Sequence, residues 1–307
     1  MKTLRRCAIG LLLLSMAAGC SRREERPAVY PPHPVRGEFS VMSYNLDRFA
    51  MADRNGNGQS DNFKPREEID AVVAIIRQAR PDILVVQEMG NPSALKILQD
   101  ELGNAGLDYP HTDYLAGSTP LNHLALLSRL PITARSAVTN LSYTIQGESL
   151  PVSRGFQQVD VEIAPGKTLR IVNVHLKSKT FHPAGQTEMR RNEARLLATH
   201  ARRMMRENPK LTVMLCGSFN DVIDSSALRE LTESADDGWK ALVIADHLGD
   251  NWTRDERDDS AFERVDFMLV QDDMMKRFLP EKSRIIRSPE ARTASNHRPL
   301  LATFSVD

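Results

Sequence analysis

The 307-residue chain is short of cysteine, of net charge and of long apolar runs, and each shortage excludes something. Its three cysteines, Cys7, Cys20 and Cys216, are too few and too scattered for a disulfide framework, so an apolar core must hold the fold. With 40 basic residues against 40 acidic ones, the chain lacks the positive balance of a non-specific nucleic-acid binder; only a local basic groove stays open to it. The apolar stretch Ala8–Ala18 is about half of the ~20 residues that a membrane-crossing helix needs. Between Phe39 and Val306 there is no repeat, no low-complexity break and no second linker, which argues for one domain.

What is present begins with Met1, Lys2, Arg5 and Arg6, then the apolar stretch, then Gly19-Cys20 and an abrupt polar turn at Ser21-Arg22-Arg23-Glu24-Glu25. That basic, apolar, small-residue order is the order of a secretory signal. The segment Leu14-Ser15-Met16-Ala17-Ala18-Gly19-Cys20 resembles the lipobox of bacterial lipoproteins. The resemblance implies removal of residues 1–19, acylation of Cys20 and an exported protein anchored to a bacterial membrane through several acyl chains. Ser21 after the cysteine favours, by the same resemblance, the outer membrane facing the periplasm. Without that leader three of the 40 basic residues are gone, leaving 37 against 40 acids. Residues 20–37 carry Pro27, Pro31, Pro32 and Pro34 with no apolar period and read as an extended tether; residues 38–307 read as the domain.

Within the domain, strand-like runs occur at Phe39–Asn45, Ile83–Gln87, Leu124–Leu127, Gly155–Ile163, Leu169–Val174, Leu211–Leu215, Val265–Val270 and Leu300–Phe304. Several are short and wholly apolar, as in strands buried on both faces, whereas Phe156, Val159, Val161 and Ile163 come closer to alternation. Pro65 with Glu67 and Glu68 opens a helix whose stripe is Ile69, Val72, Val73 and Ile76. A second helix is expected from about Thr187 to Glu207, its many arginines forming a solvated face. Strands interleaved with helices indicate a layered α/β domain with mixed sheets.

Polar clusters mark the strand ends: Ser43-Tyr44-Asn45-Leu46, Val86-Gln87-Glu88-Met89, Ser153-Arg154-Gly155, Asn173-Val174-His175-Leu176-Lys177, Gly217-Ser218-Phe219-Asn220-Asp221, Arg264-Val265-Asp266-Phe267 and Ser295-Asn296-His297-Arg298-Pro299. Taken singly, each is explained by a cap or a surface hydrogen bond. As an ordered series they resemble the endonuclease/exonuclease/phosphatase superfamily, the deoxyribonuclease I-like group, whose pattern is an Asn after the first strand, a QE, a strand ending in His, GDFN, an RxD-type Asp and a terminal SDH. The resemblance spans nearly all of Phe39 to Val306. It implies a four-layer sandwich, two mixed β-sheets face to face with helices outside, and a cleft at one edge where the loops converge.

Cleaving a phosphodiester calls for a hard cation, an aligned water and donors for developing charge. By the resemblance Glu88 is the principal ligand for Mg²⁺ or Mn²⁺, with Asn45 beside it. His297 matches the catalytic histidine, with Asp266 holding its ring in one tautomer. His175 is a candidate general acid or phosphate donor, Asn220 donates to phosphate oxygens, and Arg154 resembles a phosphate-contacting arginine of deoxyribonuclease I. Two positions depart from the pattern: Ser218 and Asn296 stand where it has aspartates, so up to two negative charges are lost, with weaker cation affinity and slower turnover as the expected result. Asp221 need not face the cleft and is no substitute.

Asp53-Arg54-Asn55-Gly56-Asn57-Gly58-Gln59-Ser60-Asp61 resembles the first half of a calcium loop, but Lys64 stands where a bidentate acid is required; Asx turns are the reading, a weak Ca²⁺ site the alternative. Trp252 is placed either to stack on a substrate base or to pack. His111, His123, His182, His200 and His247 show no metal-ligand spacing. The leading expectation is a monomeric, exported, metal-dependent phosphodiesterase acting on nucleic acid or another phosphoester. The alternatives are a non-catalytic phospho-ligand-binding lipoprotein and a phospholipid-directed hydrolase.

Overall fold

The computed structural model describes residues 37–233, 238–256 and 261–307. The expected leader, Cys20 and all of the expected tether but Gly37 lie outside them. The first sheet is built from β1 (Glu38–Phe49), β2 (Ile83–Met89), β3 (His111–Leu115), β4 (His123–Ser128), β15 (Arg284–Ile285) and β16 (Leu300–Ser305), in the order β15-β16-β1-β2-β4-β3. The second holds β5 (Ile132–Val138), β8 (Phe156–Ala164), β9 (Lys167–His175), β10 (Thr212–Ser218), β11 (Lys240–Ala241) and β14 (Asp266–Val270), in the order β11-β14-β10-β9-β8-β5. One pair in each sheet is parallel, β1 with β2 and β9 with β10, and the rest are antiparallel. Two hairpins stand apart, β6 (Ser142–Ile145) with β7 (Glu148–Pro151), and β12 (Arg254–Glu256) with β13 (Ala261–Glu263).

The wholly apolar runs are explained by burial on both faces. Along β1 and β2, Phe39, Val41, Ile83 and Val85 face the second sheet and meet Val159, Ile171, Met214, Cys216 and Met268. Their neighbours Met42, Tyr44, Leu84 and Val86 face outward onto α1 (Arg66–Ala79) and α2 (Pro92–Asn104). On the other side Val172, Val174 and Leu215 pack under α3 (Gln186–Glu207) and α4 (Ser226–Thr232). Helix, sheet, sheet, helix is the four-layer sandwich, because a two-faced apolar strand needs a partner layer on each side. Two short helices, α5 (Asp272–Arg277) and α6 (Ala291–Ala294), complete the fold.

Inside the sandwich the sheets are also cross-linked by polar groups. Gln87 donates to Asn173 Oδ1 at 2.8 Å, Asn173 donates to Gln157 Oε1 at 3.0 Å and to the Val86 carbonyl at 3.0 Å, and Gln157 donates to Asp113 at 2.7 Å. Buried amides joined in this way fix the register of β2 against β9, and so the position of Glu88 and His175 at their ends.

One expectation fails on α3. Arg190 is not on a solvated face: it is 3% exposed, pairs with Asp221 at 2.7 Å and donates to the carbonyls of Lys177, Ser178 and Gln186. The helix lies over the loop after β9, so an arginine on that side is drawn in to satisfy the loop's carbonyls. The same pair explains why Asp221 does not serve the cleft.

Candidate active site

The strand ends β1, β2, β9, β10 and β14 and the loop before β16 meet at one edge. Backbone irregularity makes the meeting possible. Asp47, Arg48 and Glu88 have φ of 47°, 56° and 57°, at the points where the β1–β2 and β2–β4 registers shift. Non-glycine residues rarely adopt this conformation, and bulges of this kind re-aim side chains beside active sites. Asn220 shares it, with φ 57°.

From the first sheet, Asn45 Nδ2 donates to Glu88 Oε1 at 3.2 Å and to Ser218 Oγ at 3.1 Å, while Asp47 N donates to Asn45 Oδ1 at 3.0 Å. Glu88 Oε2 accepts from Arg48 N at 3.0 Å. From the second sheet, His175 Nε2 lies 3.8 Å from Glu88 Oε1. Asp266 divides its oxygens: Oδ1 accepts from Ser218 Oγ at 2.5 Å, and Oδ2 lies 2.7 Å from His297 Nδ1. Asn45, Glu88, His175, Asp266 and His297 are therefore assembled together, with Ser218 as the link between Asn45 and Asp266. Asn220 and Arg154 converge on one carbonyl, that of Leu176, at 2.8 and 3.3 Å. Asn296 is present through its backbone, its carbonyl accepting from Asp255 N at 2.9 Å.

Burial governs the electrostatics. His175 is held well below the usual imidazole range, first by desolvation and then by the charges of Arg154, His297 and Arg254. It is neutral near pH 7 and so can donate a hydrogen bond but is no proton reservoir. For His297 burial acts downward too, yet the Asp266 charge and hydrogen bond, with Glu88 behind them, outweigh it and raise the ring above its ordinary value. Arg154 is buried, and its Nε has no partner among the described residues.

Among the described residues no three His, Cys, Asp or Glu side chains converge as a ligand cluster. Glu88, 20% exposed at its side chain, is a thin oxygen set, since Asn45 turns its amide N–H to Glu88 and its Oδ1 to Asp47 N. It fits Mg²⁺, which takes one or two carboxylates and keeps several waters, better than Ca²⁺. In the 53–61 loop, Asp53 accepts N–H bonds from Gly56, Asn57 and Gly58, and Lys64 is spent on Glu68 and the Asp47 carbonyl, which is the Asx-turn arrangement.

The sequence alone assigned no role to the residues that hold the site in place. Ser295 accepts from His297 N at 2.9 Å and donates to the Asn45 carbonyl at 2.9 Å, tying the loop before β16 to the end of β1. Thr253 Oγ1 accepts from Val265 N and Asp266 N. Arg298 donates to Asp246 and to the Trp252 carbonyl, and its guanidinium stacks 3.4 Å from the Trp252 ring centroid, with Phe262 also against that ring. Trp252 thus packs. Glu193, on α3, accepts Lys177 N at 2.6 Å beneath Arg154. A "Ser-x-His-Arg" string and a Thr two before an acid were the available signals, but serine, threonine and glutamate in such places are too common to stand out.

Similar folds occur in solved structures. Truncated Caenorhabditis elegans TDP2 superposes with a TM-score of 0.59 at 19% identity, covering 88% of this chain and 98% of its own. An endonuclease/exonuclease/phosphatase from Bacteroides vulgatus gives 0.62 at 14% identity, with 89% and 100% covered. Sphingomyelinase C from Streptomyces griseocarneus gives 0.59 at 16% identity, with 87% and 99% covered. At these identities the likeness is one of fold. No curated protein is similar enough in sequence to count as a relative. The sequence profile of the Endonuclease/Exonuclease/phosphatase family, however, matches residues 42–281, most of the domain and every strand-end cluster but the last, and the chain belongs to that family.

Proposed function

We propose that the cleft hydrolyses phosphoesters with a divalent cation, Mg²⁺ or Mn²⁺, held by Glu88 and Asn45. The observation that carries this reading is the His297–Asp266 pair at 2.7 Å beside the Glu88–Asn45 pair, with Asp266 supplied by the second sheet and His297 by the loop before β16. When bound, the cation neutralises phosphate oxygens and lowers the cost of the charge that develops on them. The chain's own groups do the rest. His297, its tautomer fixed by Asp266, takes the proton of the attacking water through Nε2; because its ring is raised, activity should climb on the alkaline side of the ordinary histidine range. His175 donates as a neutral imidazole to a phosphate oxygen. Arg154 and Asn220 leave the Leu176 carbonyl for the phosphate, a small rearrangement for a cleft that meets its ligand.

A second reading has its own support. Ser218 replaces an acid at the centre of the site, and a cleft that keeps Arg154, Asn220 and His297 can bind a phosphorylated ligand without turnover. Supercoiled DNA, RNA, a chromogenic phosphodiester and phospholipid vesicles, each with Mg²⁺, Mn²⁺ or chelator, separate the two: cation-dependent cleavage of any of them supports the hydrolase, whereas ligand binding without cleavage supports the binder. We also infer that the protein is a lipoprotein, acylated at Cys20 and held at a bacterial membrane, on the strength of the Leu14–Cys20 motif.

A further inference from the structure

We propose that Arg254 is a second phosphate-binding arginine of this cleft, acting with Arg154, and that the site therefore selects a terminal phosphate, a monoester dianion, over an internal phosphodiester. This rests on the phosphoester reading above and names the substrate class within it.

The backbone decides where Arg254 points. β12 runs antiparallel beside residues 296–298, with Asp255 N donating to the Asn296 carbonyl at 2.9 Å, Arg298 N to the Thr253 carbonyl at 2.6 Å, and Arg254 bridged directly to His297. Directly opposed residues of an antiparallel pair send their side chains to the same face. His297 uses that face to reach Asp266, so Arg254 leaves the backbone toward the cleft. Its neighbours along the strand point the other way: Thr253 caps Val265 N and Asp266 N, and Asp255 pairs with Arg292. Proximity to both histidines is visible in their electrostatics, since the Arg254 charge acts on His175 and on His297.

The guanidinium is also only partly spent. Glu256 takes one arm at 2.8 Å, the side chain remains 19% exposed, and Nε has no partner among the described residues. Glu263, which lies opposite Arg254 in the hairpin, has its carboxylate engaged by Lys179. Against Arg154 and Arg254 the cleft sets Glu88, Asp266 and Glu256, of which Asp266 is committed to Ser218 and His297 and Glu256 to one arm of Arg254. Ser218 and Asn296 carry no charge. A wall with two guanidiniums and so few free carboxylates favours the ligand with more negative charge. A terminal phosphate has its second ionisation near 6 and is largely a dianion at neutral pH, whereas a diester stays a monoanion. Charge-assisted hydrogen bonds from a planar guanidinium reward that extra charge.

The test uses the full chain, as wild type, R254Q and R254K, with Mg²⁺ and with Mn²⁺ at pH 7.5. Turnover is measured on p-nitrophenyl phosphate and bis(p-nitrophenyl) phosphate, which share a leaving group, and calorimetry measures binding of inorganic phosphate and of dimethyl phosphate. Wild type is expected to favour the monoester in kcat/KM. R254Q should lower kcat/KM on the monoester by ~10-fold or more and weaken inorganic phosphate by a similar factor, while changing the diester and dimethyl phosphate by less than ~3-fold. R254K, which keeps the charge, should restore part of the loss. Equal losses on both substrates, or a wild type that favours the diester, overturn the selectivity. If nothing is hydrolysed but R254Q still loses inorganic phosphate, the hydrolytic reading fails and Arg254 keeps its assignment. If R254Q binds phosphate as wild type does, the Arg254 assignment fails whatever the turnover.

Discussion

Ser218 sits fully buried between Asn45 and Asp266, giving its proton to one and accepting from the other. A carboxylate in its place would lie against Asp266, a like-charge contact that only a cation relieves. Ser218→Asp should therefore melt lower than wild type in chelator, recover that loss in Mg²⁺, and raise cation-dependent turnover at least ~10-fold, about 1.4 kcal/mol in the barrier; Glu88→Ala on top should erase the gain. A fully active wild type that Ser218→Asp leaves unchanged would mean that His297 and Asp266 activate the water unaided. Glu193 offers a separate test. Burial pushes its carboxyl up to about 7, against the pull of Arg154, Lys177 and Arg190. Between the ordinary carboxylate range and 7 the unfolded chain has released a proton that the folded chain retains, so stability falls as pH rises across that window, by up to roughly 3 kcal/mol. Glu193→Gln keeps an acceptor for Lys177 N and should remove that fall, read from denaturant melts at pH 4.5 to 8; parallel profiles would contradict it. At this scale, the residues legible in the sequence were those whose identity is tied to a strand-end motif. Arg254 and Glu193 were not, because what distinguishes them is a neighbour remote in the chain; Ser295 stood in the last motif, but its bond to the remote Asn45 carbonyl did not show there.

At the scale of elements, the close approach of β9 and β10 decides whether the site can form. Gly217 has φ +137°, and a Cβ placed there would lie 2.0 Å from the Val174 carbonyl oxygen. Gly217→Ala should force the two strands apart just before Ser218 and His175, costing on the order of 3 kcal/mol or more, with activity lost in proportion to unfolding. An alanine variant with wild-type stability would show that the parallel pair is looser than its geometry. The central strands were readable because they are buried on both faces and so run wholly apolar; their boundaries moved by a few residues, as β10 does in continuing to Ser218. β3, β5 and the β6–β7 hairpin were not read. β5 is largely exposed and β3 half-buried, and both lie at sheet edges, so neither carries an apolar signature. α2 was missed although Asn91 caps Ala94 N and Pro92 opens its first turn; its apolar stripe of Leu95, Leu98 and Leu102 is narrow.

At the scale of the whole molecule, a near-neutral surface and a cleft with two arginines fit a protein that binds its anion locally rather than by a general basic field. Cys20→Ala, produced in a host that processes lipoproteins, should lose acylation and membrane partitioning and persist unprocessed; radiolabelled fatty acid still incorporated into that variant would sink the lipoprotein inference. The central claim is that Glu88, Asn45, Asp266 and His297 form a cation-dependent phosphoester-cleaving centre. The most direct measurement of it is the rate of release of p-nitrophenol from p-nitrophenyl phosphate and its bis-ester by wild type and Glu88→Gln, with Mg²⁺ or Mn²⁺ and with chelator. The account predicts turnover by wild type that chelator abolishes and that Glu88→Gln lowers by ~100-fold or more. Wild type that cleaves neither ester with either cation, or Glu88→Gln that cleaves as fast as wild type, would contradict it.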